Sequence, residues 1–74
     1  MKILKTFENF EDNLDFNEHD RVISIEQIND NIPVNTSGTI VHLYNNESFV
    51  VEFFDNDHNT ISVETVTKKQ IKKI

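Results

Sequence analysis

Seventy-four residues leave room for one small domain, and thirteen acidic against seven basic residues give a net charge of −6, which on balance repels nucleic-acid phosphate. The absence of cysteine excludes a disulfide framework, a thiolate zinc site and a cysteine nucleophile together. No apolar run approaches the ~20 residues of a membrane span, and residues 1–7 lack the apolar stretch of a secretory signal, so a cytoplasmic protein with no membrane contact is expected.

Nine isoleucines, seven valines and six phenylalanines, with no alanine, bias the chain toward pleated, half-buried surfaces rather than helices. Residues 1–19 form a distinct acidic, amphipathic extension. Ile3, Phe7, Phe10 and Leu14 recur at spacings of four, three and four, which predicts a short helix around residues 6–14 with Thr6 as its cap; Asn9, Asp12, Asn13 and Asp15 oppose it, and an extended arm is the alternative.

Residues 20–74 read as strands and turns. A short apolar run, RVISI at 21–25, is followed by a polar stretch, 26–37, where Pro33 argues for a loop with Ile28, Ile32 and Val34 tucked inward. Gly38, the only glycine, precedes the strand TIVHLY at 39–44, where a positive φ or a sharp bend is its expected use. Asn45 to Ser48 is turn chemistry, FVVEFF at 49–54 is the next strand, and Asp55 to Asn59 turns the chain into TISVETV at 60–66. The lysine-rich tail is read as a 3₁₀ turn leading into a last short strand, its lysines shielding an exposed strand edge.

Pairing Tyr44 with Phe49 and Phe54 with Thr60 predicts a core face of Ile40, His42, Tyr44, Phe49, Val51, Phe53, Ile61 and Val63. The opposite face then carries Val41, Leu43, Val50, Glu52, Phe54, Ser62 and Glu64, more apolar than a solvated face requires. Either the N-terminal stripe or a protein partner is expected to cover it. Val41, Leu43, Val50, Glu52, Phe54 and Glu64 are the candidate partner-binding residues. An acidic domain of this kind suits a basic partner, although the charge equally serves solubility.

Catalytic chemistry has little to work with. Serines 24, 37, 48 and 62 sit in no nucleophile-elbow context, and one glycine cannot build a phosphate loop. Asp55, Asp57 and His58 share one turn, but the spacing is that of ordinary turns and lacks the glycine and distal glutamate of a calcium loop. His42 reads as a packing residue. No catalytic residue, metal ligand set or cofactor is assigned.

The segments D-R-V at 20–22, G-T-I-V-H-L-Y at 38–44, V-E-F-F-D at 51–55 and T-I-S-V-E-T-V at 60–66, closed by Ile71 and Ile74, resemble a bacterial family known as domain of unknown function 4926. The likeness covers about three quarters of the chain. The first 19 residues are an extension to the family pattern, and Asn35-Thr36-Ser37 departs from its usual turn before Gly38. The resemblance implies a mainly β domain, a small five-stranded SH3-like barrel. Its members are often encoded beside toxin-like genes, which implies an antitoxin or immunity protein that masks a toxin partner. The rival expectations are a nucleic-acid-associated SH3-like module, using Lys68, Lys69, Lys72 and Lys73, and a structural adaptor.

Overall fold

The computed structural model of the chain describes residues 16–74, so the helix or arm expected within residues 1–15 lies outside the described residues. Five strands follow in order: β1 (Arg21–Ser24), β2 (Ser37–Leu43), β3 (Ser48–Phe54), β4 (Thr60–Thr67) and β5 (Ile71–Lys73). They form one antiparallel sheet in the order β4-β3-β2-β1-β5, and there is no helix among the described residues to lengthen into a membrane span. The mainly β, five-stranded expectation therefore holds, including the short last strand after a turn. The pairing does not close the sheet: β4 and β5 are its two edges.

One face of this sheet encloses the core. Val22, Ile40, Phe49, Val51, Phe53, Val66 and Ile71 are buried from the strands, and Ile32 is buried from the loop between β1 and β2. Phe16, Ile28, Leu43 and Ile61 pack around them. Phe16 seals one end, its ring 5.0 Å from that of Phe49.

The β1–β2 loop is held at its neck by a buried polar knot. Ser24 Oγ donates to the Pro33 carbonyl (2.8 Å) and accepts from the Thr36 N–H (2.9 Å), while Thr36 Oγ1 donates to that same carbonyl (2.7 Å). These bonds satisfy polar groups that burial would otherwise penalise. They also fix the point from which Ile32 reaches inward. Ile28 is half-buried, but Val34 stays exposed, against its expected inward position.

Two β-bulges correct the expected register. In the β2–β3 pair, Leu43 and not Tyr44 faces Phe49, a one-residue shift at the turn, and His42 faces Val50, but Ile40 faces Val51, so Val41 is an extra residue. In the β3–β4 pair, Phe54 faces Thr60 as the sequence predicts, yet Phe53 faces Ser62, leaving Ile61 as the extra residue. Because strand side chains alternate with a period of two, one inserted residue moves everything beyond it to the other face. His42 and Tyr44, expected inside, are exposed; Leu43, expected outside, packs on the core. Val63 is likewise turned out at 53% exposure, and Val66 takes the buried place across from Phe49.

Gly38 is needed for space rather than for a positive φ, which it does not have. It lies between Val22 of β1 and Phe53 of β3 on the core face. A Cβ there would fall 2.6 Å from Val51 Cγ1 and 3.0 Å from both Phe53 Cδ1 and the Glu52 carbonyl oxygen. Gly38→Ala is therefore expected to destabilise the domain by about 1–3 kcal/mol through overpacking, read as a lower midpoint in urea with an unchanged slope.

Candidate partner-binding face

The face of β2, β3 and β4 turned away from the core carries Val50, Glu52 and Phe54 in its middle strand, all half-buried. Across from them on β4 lie Thr65, Val63 and Thr60, and on β2 His42 and Thr39. The alternation in β3 is what builds this face: Phe49, Val51 and Phe53 go in, so Val50, Glu52 and Phe54 must come out. Val41 at the bulge is 40% exposed, and Tyr44 beyond it is 60% exposed. With Val63, they make an apolar band that no described residue covers.

Polar groups punctuate the band. The Thr60 hydroxyl donates to the Glu52 carboxylate on this face. His42 and Tyr44 meet edge to face with ring centres 5.2 Å apart, and His42 Nδ1 lies 3.9 Å from Glu18. The face is thus apolar with carboxylates at Glu52 and Glu18, the pattern of a surface for a partner that offers both apolar contact and positive charge.

The six residues picked from sequence divide between the two sides of the sheet. Val50, Glu52 and Phe54 come together on the outer face, with Val41 at its rim. Leu43 and Glu64 do not join them: Leu43 packs against the core, and Glu64 stands opposite Val51 on the inner side. Tyr44, His42 and Val63 take their places on the outer face. Sequence reasoning missed these three because the alternation is interrupted at Val41 and Ile61, and neither residue carries a proline or glycine to mark the interruption.

A separate groove of about 590 Å³ lies at the β2–β3 hairpin end. Phe16, Leu43 and Phe49 form its apolar side, and Asn17, Asn45, Asn46 and Lys68 its polar side. The Asn45 amide oxygen is occupied within the turn, accepting from the N–H groups of Glu47 and Ser48 at 2.8 and 2.9 Å. At the other hairpin, Asp55 Oδ1 accepts from Asp57 and Asn59 N–H, while His58 adopts φ 67° to complete the turn. The Asp55 carboxylate is thus engaged in shaping the turn. Among the described residues, no three histidines or acids converge as a metal site.

The register of β4 can be checked by truncation. Val66→Ala is expected to cost about 2 kcal/mol, from two buried methyl groups, whereas Val63→Ala should stay within about 0.5 kcal/mol of the parent. Urea denaturation of both variants reads the difference; equal losses would contradict the bulge at Ile61.

A model of the family described as Domain of unknown function (DUF4926) matches residues 18–73. No curated protein and no solved structure matches the chain.

Proposed function

The chain belongs to the DUF4926 family, and we propose that it is a small protein-binding module, an antitoxin or immunity protein that masks a toxin in the cytoplasm. It acts by contact and not by catalysis. Supporting this reading above all is the apolar band on the outer face of β2, β3 and β4, uncovered among the described residues, with Val63 53%, Tyr44 60% and Val41 40% exposed around Val50 and Phe54. Isolated exposed apolar side chains are ordinary; three of them around half-buried Val50 and Phe54 on one sheet face make a surface of the kind that marks interaction sites.

The partner's chemistry follows from the same face. Glu52, hydrogen-bonded to Thr60, and Glu18 at the rim favour lysine or arginine on the other side, and the overall charge of −6 speeds encounter with a basic protein. We read the sheet as an SH3-like barrel in outline: an antiparallel meander with β1 joining β5 back onto the sheet. In the rival reading, nucleic acid would lie along Lys68, Lys69, Lys72 and Lys73. Its weakness is that Lys73 already sits 3.3 Å from Asp20 and that the whole chain carries thirteen acids against seven bases.

Co-expression of the full chain with the products of its neighbouring genes, followed by affinity purification, tests the reading. A basic neighbour should co-purify, and Tyr44→Ala or Glu52→Lys should weaken its binding by roughly thirtyfold, the scale of a single interface hot spot. Purification of the chain alone from every neighbouring gene product, or equal retention by the variants, would overturn it.

A further inference from the structure

The two edges of the sheet are unlike each other. β5 is three residues long, with Lys72 and Lys73 in it and Lys68 and Lys69 just before. Short length and lysine both discourage another strand from adding to an edge. β4 is eight residues long, contains no lysine or proline, and carries only one charge, Glu64. Among the described residues it is the unguarded edge.

Its hydrogen-bonding pattern follows from the register. The Lys68 N–H donates to the Glu47 carbonyl at 2.9 Å, one step beyond the Ser48–Thr67 pair. Alternation along an antiparallel ladder then makes Phe49/Val66, Val51/Glu64 and Phe53/Ser62 the hydrogen-bonded pairs. Val63 and Thr65 consequently direct their own N–H and C=O groups away from β3, toward the open side. Thr67 points the same way but is already engaged: its N–H donates to Gln70 Oε1 (2.9 Å), and its carbonyl accepts the Gln70 N–H (3.0 Å). The free stretch of edge is centred on Val63.

We infer that β4 pairs antiparallel with β4 of a second copy of this chain, about a two-fold axis through Val63. Charge and donor availability exclude the two registers on its C-terminal side, and the Ser62–Glu64 pairing favours that register. An axis through Glu64 would set two carboxylates directly opposite each other, where like charges repel. An axis through Thr65 would call on Thr67, whose backbone groups Gln70 holds. With the axis at Val63, the two Val63 residues exchange N–H···O=C bonds, Thr65 falls opposite Ile61, and Glu64 falls opposite Ser62. Ser62 Oγ is a buried hydroxyl with no hydrogen-bond partner among the described residues. Glu64 of the second copy places an acceptor on the same side of the sheet, beside that unpaired hydroxyl. The two exposed Val63 side chains meet on the outer face and join the apolar bands of both copies into one surface.

One strand edge per copy buries less than the ~1,200 Å² of a stable complex, so the dimer is weak and depends on concentration. Sedimentation velocity of the full chain alone, from micromolar to millimolar, reads it without any partner, so its outcome is separate from that of the binding reading above. The parent chain should shift from monomer to dimer over that range. Thr65→Pro removes an outward-facing N–H without touching the β3 ladder, a position where an edge strand tolerates proline, and should hold the chain monomeric. Val63→Lys should do the same, with circular dichroism of both variants unchanged. A parent that stays monomeric throughout overturns the inference, as does a dimer that survives Thr65→Pro, because its copies would then meet by some surface other than this edge.

Discussion

The fold depends on a short tether between its two edges. β4 and β5 stand at opposite ends of the strand order, yet only residues 68–70 separate Thr67 from Ile71. Four Cα–Cα steps span at most ~15 Å, whereas four inter-strand spacings in a flat sheet come to ~19 Å. A flat sheet cannot satisfy both, so this one must curl. Curling is what lets a single sheet in so small a chain enclose a core, with Val66 at one edge and Ile71 at the other among the same buried residues.

The rest of the molecule is adjusted to that curvature. A bulge bends its strand and increases the local twist, and the extra residues at Val41 and Ile61 fall in the second and fourth strands of the meander. Gly38 lies where three strands crowd the inner face, and its missing side chain lets β2 approach Val51 and Phe53. Ile32 enters from the β1–β2 loop, its approach set by the Ser24–Thr36–Pro33 knot. Because all the large core side chains of β3 are drawn to the inner face, the outer face keeps Val50, Glu52 and Phe54. The candidate binding surface is thus a consequence of how the core is closed.

Much of this was readable from residue types. Strand content, turn positions, the inward set Phe49, Val51 and Phe53, and the pairing of Phe54 with Thr60 all follow from alternation and from Asn- and Asp-rich turns. The bulges were not readable. Val41 and Ile61 are ordinary β-branched residues, and their insertion is a response to global curvature that no local pattern records. The bulge at Ile61 moves Val63 outward and Glu64 inward, while a one-residue shift at the β2–β3 turn, absorbed by the bulge at Val41, moves His42 and Tyr44 outward and Leu43 inward. The sequence marks Gly38 as special without giving the reason, because close approach between strands distant in sequence leaves no local mark. The register shifts alone displace Leu43 and Glu64 from the face that the residue pattern predicts.

The β4 register decides both which of its residues fill the core and which lie on the proposed partner-binding face. Cross-strand nuclear Overhauser effects between α-protons report it directly, being strongest between residues opposite each other in non-hydrogen-bonded antiparallel pairs. The structure requires such contacts between Glu52 and Val63 and between Val50 and Thr65. Contacts of Glu52 with Ser62 and Val50 with Glu64 in their place would mean an uninterrupted ladder from the Phe54–Thr60 pair, and would contradict the bulge, the outward Val63 and the surface built upon it.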